Sequence, residues 1–165
     1  MLGSCIREIE EREIEKCAEV IRRSFATVAE EFNLTFANCP THGTFMTLER
    51  LISERQNGAL QYGLFINDNL IGFVCLKKSK SACNVYTLEK LAVLPESRHN
   101  GYGRVLLDFA KEKIRACGGE KIKIGIIEEH TVLKDWYHAN GFVHIETKIF
   151  QHLPFTVGYM EYVIN

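Results

Sequence analysis

The chain has 165 residues, 46% of them hydrophobic and 25% charged, with 12 Gly and 3 Pro. That is the size and composition of one ordinary globular domain and excludes a disordered, collagen-like or repeat-built chain. Twenty basic and twenty-one acidic side chains give a formal net charge of -1. The basic excess expected of a nucleic-acid or polybasic membrane partner is therefore missing.

Six cysteines (Cys5, Cys17, Cys39, Cys75, Cys83, Cys117) form no Cys-x-x-Cys pair, and residues 1–30 contain no apolar core of a secretory signal. Reduced thiols in a cytoplasmic protein are expected. No apolar run approaches the ~18 residues that a membrane-spanning helix requires.

In chain order, residues 4–10 alternate as a first strand. Ile14, Ala18, Ile21, Phe25, Val28 and Phe32 then recur at three and four, an apolar stripe on a helix of about 11–32. Asn38, Cys39-Pro40 and Gly43 break the next segment, and Thr44 or Thr47 caps a second helix ending near Asn57-Gly58. Two β-prone runs, 60–66 and 70–78, flank Asn67-Asp68-Asn69 as a hairpin. A strand over 85–94 stops at Pro95. A helix over 101–117 carries Leu106, Leu107, Ala110, Ile114 and Cys117 on one side and ends at Gly118-Gly119. A strand over 121–127, a helix over 131–140 and a hairpin of 143–150 with 156–164 complete the chain. The order β-α-α-β-β-β-α-β-α-β-β predicts an α+β fold with a twisted, mixed, mostly antiparallel sheet. Strands 85–94 and 121–127 are expected as parallel neighbours, joined by a right-handed crossover.

The chemistry concentrates after the strand at 85–94. Gly101-Tyr102-Gly103 opens a helix, so its free first-turn N–H groups and dipole favour an anion, and Arg98 and Arg104 add positive charge. This is a phosphate or pyrophosphate cradle, or, without a ligand, a capped helix. The Lys-Ser/Thr of a P-loop is absent, and Leu106 stands where a dinucleotide fingerprint needs a third small residue.

Arg98-x-x-Gly101-x-Gly103, preceded by Leu91-x-Val93-x-Pro95, resembles the acyl-CoA-binding motif of the GNAT acetyltransferases. Downstream, Tyr137-x-x-x-Gly141-Phe142 is similar to that family's closing helix. The resemblance implies a single domain over 1–165 with the GNAT fold. It also implies an N-acetyltransferase moving an acetyl group from acetyl-CoA to a primary amine, expected to be that of a small molecule, by direct attack in a ternary complex. A protein or peptide acceptor, a CoA-binding module without catalysis, and a toxin acting on charged tRNA are the other readings.

By resemblance, Leu91, Ala92 and Val93 meet the pantetheine arm. Arg98, His99, Asn100, Gly101, Tyr102, Gly103 and Arg104 form the pyrophosphate loop. Tyr137 is the candidate general acid, or else a core residue beside Trp136. Glu89 is the candidate base, or an orienting carboxylate paired with Lys90. The family also places its glutamate at the position of Thr87, and an alternating strand puts Thr87 and Glu89 on one face unless a bulge intervenes. His130 stands where many members carry Asn near the pantetheine. Lys134 reaches a phosphate or is simply solvated. The first helices and residues 151–155 are implied to border the acceptor pocket. Glu30, Glu31 and Glu49 attract a cationic amine there or form a solvated helix face. Cys39-x-x-His42 lacks a second metal-ligand pair, so no metal is expected. No nucleic acid or membrane partner is expected, and the family's habit of dimerising allows a homodimer.

Overall fold

The computed structural model describes residues 3–165. Seven strands, β1 (Ser4–Glu8), β2 (Leu60–Ile66), β3 (Asn69–Lys78), β4 (Val85–Val93), β5 (Lys121–Ile127), β6 (Val143–Ile149) and β7 (Thr156–Val163), form one sheet in the order β1-β2-β3-β4-β5-β7-β6. Four helices flank it: α1 (Ile14–Glu31), α2 (Leu48–Gln56), α3 (Tyr102–Ala116) and α4 (Thr131–Ala139). The expected order holds. The β4–β5 pair is parallel and every other pair antiparallel.

Local chemistry accounts for the boundaries. Asn67 and Asp68 both take positive φ, 48° and 65°, which tightens the β2–β3 hairpin. Thr47, rather than Thr44, caps α2 by accepting from the Arg50 amide at 3.2 Å. The helix expected from residue 11 begins as a 3-10 turn over Glu11–Glu13, and the first strand stops at Glu8. Glu10 and Glu13 satisfy each other's backbone donors there, and Glu13 also takes two 2.8 Å hydrogen bonds from Arg7. Cys117 lies past the end of α3 and is exposed instead of sharing its buried side. All six cysteines are unpaired.

The sheet buries a different set on each face. Tyr62, Leu64, Val74, Leu76, Tyr86, Leu88, Ile122, Ile124 and Ile126 meet Leu106, Leu107, Ala110 and Ile114 of α3 and Tyr137 of α4. On the other face Phe65, Phe73, Cys75 and Ala92 meet Ile14, Cys17, Ala18 and Ile21 of α1 and Leu51 of α2. Burying each large aliphatic or aromatic side chain is worth roughly 1.5–3 kcal/mol. Only the first half of the α1 stripe is spent this way: Phe25, Val28 and Phe32 are half-buried, and Phe25 and Val28 line an open cleft.

Candidate active site

Two irregularities of β4 build the site. The ladder to β5 covers only Val85–Thr87 against Lys121–Lys123, and beyond it the strands part and leave the β5-facing edge of β4 without a strand partner. The second irregularity is a bulge. Glu89 opposes Cys75 and Ala92 opposes Phe73, so Lys90 and Leu91 together face Val74, and Lys90 takes φ 54°. The bulge falls one residue after Glu89. Leu88 and then Leu91 and Val93 pack toward α3, while Glu89 and then Ala92 and Leu94 belong to the α1 face. A non-glycine residue in the left-handed region costs on the order of 1 kcal/mol or more, which the flanking β3–β4 ladder must offset.

At the end of β4 the chain turns through a 3-10 turn (Pro95–Ser97) and enters α3 by way of His99 at φ 64° and Gly101 at φ 81°. Nothing lies within 4 Å of where a Gly101 Cβ would sit, so backbone conformation is what asks for glycine there. The six consecutive backbone N–H groups from His99 to Arg104 find no acceptor among the described residues, and Gly101 caps the helix without a side chain. The helix dipole points its positive end at the same place. A row of unmatched donors this long can receive an oxyanion group such as a diphosphate.

The two arginines divide differently from expectation. Arg104 is exposed and makes a loose pair with Asp108 at 3.7 Å, so its charge stands free at the cradle's rim. Arg98 instead spends three of its five N–H donors on the fold. Nε donates to the Val93 carbonyl at 3.2 Å, Nη1 to Thr27 Oγ1 at 3.0 Å and Nη2 to the Ser24 carbonyl at 2.5 Å. It ties α1 to the end of β4, and burial pulls its pKa down.

A cleft of about 620 Å³ opens where β4 and β5 part. Tyr137 of α4 lines it, almost fully buried, with its ring edge-on to Trp136 and Phe142. Its hydroxyl makes no hydrogen bond to a described residue, and burial pushes its pKa well above the usual phenol value. His130, at the start of α4, lines the cleft too. Its Nδ1 accepts from the Leu133 amide at 3.4 Å, so it caps the helix as an Asn would, and its ring rests 5.5 Å from that of Phe32. Lys134 is neither solvated nor free, since its ammonium is paired with Glu128, which also meets His144 Nε2 at 3.1 Å.

Glu89 lies in the cleft wall within an ion network. Its Oε2 is 2.9 Å from Lys77 Nζ and 3.0 Å from Lys90 Nζ, and Lys90 is also 2.8 Å from Glu54 Oε2. Burial alone would raise the Glu89 carboxyl, but the two ammonium groups outweigh it and hold the group below the usual carboxylate range. Glu54, Cys75 and Glu89 bring three potential ligand atoms within 4.8 Å of one another. The carboxylates are paired with lysines and burial lifts the thiol to about 11, so in this structure the cluster is an ion network. Glu30, Glu31 and Glu49 are exposed and do not line the cleft; they are the solvated face. Phe25, Val28, Arg50, Leu153 and Phe155 do line it, so the first helices and the β6–β7 loop border the cleft. Sequence reasoning weighed His42 only as half of a metal pair and missed Lys123 in the cleft wall and Lys77 beside Glu89, whose places depend on chain crossings rather than on local patterns.

The acetyltransferase (GNAT) family model matches residues 25–142. The chain belongs to the GNAT acetyltransferase family. It is 36% identical over 72 residues to an uncharacterised N-acetyltransferase of Oceanobacillus iheyensis, a match covering 39% of this chain and 45% of that protein. The aligned part thus spans just under half of that relative's length. Among solved structures, the PaiA N-acetyltransferase of Thermoplasma acidophilum in complex with coenzyme A superposes with TM-score 0.75 at 24% identity, over 98% of this chain and 99% of that one. The ribosomal-protein-S18-alanine N-acetyltransferase of Escherichia coli superposes with TM-score 0.77 at 15% identity, over 98% and 94%. At those identities the likeness is one of fold.

Proposed function

We propose that the protein transfers an acetyl group from acetyl-CoA to the primary amine of a small molecule by direct attack within a ternary complex. The observation that carries this reading is the run of six unpaired N–H groups over 99–104 beside the gap between β4 and β5. The run fits a diphosphate. The open edge of β4 at Leu91, Ala92 and Val93 fits an amide-bearing arm laid alongside it as an extra strand. In this reading His99, Asn100, Gly101, Tyr102, Gly103 and Arg104 supply the cradle, Arg98 holds it in place, and His130 stands on the α4 side of the same gap, while Lys134, tied to Glu128, would have to leave that pair to reach a phosphate.

The chemistry needs an amine lone pair, a polarised carbonyl and a proton for the departing sulfur. An alkylammonium has a pKa near ~10.4 and a carboxylate near ~4.3, so full transfer of its proton to Glu89 runs uphill by about six units. Glu89 therefore acts by accepting a hydrogen bond from the amine and passing its proton to water as the C–N bond forms and the nitrogen becomes acidic. In this reading a backbone N–H of β4 polarises the thioester oxygen. When the C–S bond breaks, Tyr137 gives its proton to the thiolate and recovers one from solvent. A phenol kept neutral by burial is available as an acid at neutral pH.

The test has two parts. CoA or acetyl-CoA at millimolar concentration should raise the melting temperature, because a ligand of the folded state stabilises it. Free-thiol release should then depend on an added amine. No thermal shift with either compound would refute the reading, and a shift without thiol release against any amine or peptide would leave only a CoA-binding module.

A further inference from the structure

The acceptor side of the cleft is positively charged. Arg50 and Lys90 line it beside Glu89, and behind that wall Lys77 and Glu54 complete the network, with Arg50 Nε 3.3 Å from Glu54 Oε1, so three cations meet two carboxylates. Lys123 adds another charge. It lies on β5 directly across from Thr87, on the face that also carries Gly125 and Ile127, and it lines the cleft half-buried with no ion-pair partner among the described residues. The nearest carboxylate in register, Glu161 of β7, is held by Lys121 at 3.2 Å.

Among the described residues Glu89 is the one carboxylate in the cleft wall, and two lysines already hold its Oε2. That leaves Oε1 for one amine, and the second ammonium of a polyamine would find no further carboxylate. An anion would meet an unpaired ammonium. His42 points the same way: its Nδ1 accepts from the Thr44 amide at 3.3 Å, which makes Nε2 the N–H donor of the neutral ring. Gly125, the next residue on this face, adds no side chain to the floor beside Lys123. Glu89 stands one same-face step, about 7 Å, along β4 from Thr87, the residue across from Lys123, so the two charges bracket a space for a small molecule with its amine at Glu89 and its anionic end at Lys123.

We infer that the acceptor is a small amine bearing its own carboxylate, of the amino-acid class, with Lys123 as the residue that selects it. The inference rests on the acetyl-transfer reading and names the substrate class of the same cleft. The lysine ammonium seats the carboxylate, His42 and the unused donors of Arg50 flank it, and the amine is left toward Glu89 and the gap.

The experiment compares matched acceptors with the full chain: an α-amino acid, its amide, the decarboxylated amine, a diamine and a short peptide. Thiol release should favour the amino acid over its amide by about tenfold or more in kcat/KM, the usual worth of a hydrogen-bonded charge pair. With CoA present, the N-acetylated amino acid should raise the melting temperature more than its amide. Lys123→Met should bring the acid-to-amide ratio toward one, and Lys123→Glu should turn the preference toward the diamine. A wild-type preference for the diamine or peptide overturns the inference and leaves acetyl transfer standing. CoA binding with no turnover of any acceptor and no protection by the N-acetylated acid overturns the inference together with the acetyl-transfer reading and leaves a CoA-binding module. Failure to bind CoA at all overturns the reading beneath it.

Discussion

The two sides of β4 solve different problems with different parts. Toward α3, the proposed diphosphate receptor is backbone: six amides in an unbroken stretch, released by one left-handed glycine and helped by a dipole. Toward α1 and α2, the surface is built of side chains. His42, Arg50, Glu54, Lys77, Glu89, Lys90 and Lys123 arrive from five separate segments. A backbone receptor asks little of the residues around it and suits one constant ligand. A side-chain receptor changes its preference with each substitution, so the same fold can keep its donor and exchange its acceptor.

The sharpest way to break the contrast is to disturb the backbone side alone. A Cβ on Gly103 would approach Trp136 no closer than 3.5 Å, so Gly103→Glu should fold with an almost unchanged melting temperature. Its carboxylate, however, would stand among the first-turn amides. Like charges ~4 Å apart at a protein surface repel by a few kcal/mol, so CoA affinity should fall on the order of a hundredfold or more by titration calorimetry. Unimpaired CoA binding would move the cradle elsewhere.

Tyr137→Phe probes the point where the two sides meet. The hydroxyl has no protein partner to lose, so stability and CoA affinity should hold. Turnover should drop by about 10²-fold, the lower end of what a positioned acid contributes. A variant as fast as the wild type would return Tyr137 to a packing role.

How far each side was legible follows from the same difference. The α3 receptor is local, so Gly101, Gly103 and the strand before them could be read directly, as could the helix carrying Tyr137. The acceptor side could not. Glu54 and Lys90 are distant in sequence, and nothing local marks Lys90 for a left-handed bulge. Phe25 and Val28 fit the apolar stripe of α1 as well as the buried Ile14 and Ile21 do, because periodicity reports the face of a helix and not what lies against it. Arg98 misled for a related reason. Its position beside the glycines is local, but the partners that claim its guanidinium, Ser24 and Thr27, belong to α1.

That reassignment is itself testable. Hydrogen bonds to a charged group are worth about 1.5–3 kcal/mol, so Arg98→Met should lower stability in denaturant by about 2 kcal/mol. CoA affinity should suffer less than in Gly103→Glu. Arg104→Met should do the reverse, a few-fold weaker and less salt-sensitive CoA binding with unchanged stability. If Arg98→Met cost affinity and no stability, the guanidinium would belong to the cradle after all.

The smallest effect is expected on the side-chain face and is seen as a displacement in pH. The Glu89 carboxyl is buried, which favours its neutral form, but Lys90 and Lys77 more than offset this and hold it below the ordinary range. It thus stays ionised to a lower pH in the folded protein than in the unfolded chain. The stability this contributes is fully present above the unfolded pKa of ~4.3 and is lost as pH falls through the lower folded value. Lys77→Met removes one of the two ammonium groups and leaves Lys90 in place. The acidic limb of the pH–rate profile should move to higher pH, while the plateau near neutrality, where the carboxyl is ionised in both proteins, changes little. A carboxylate with no part in turnover would leave that limb where it was, and the ion network around Glu54 would then serve the fold alone.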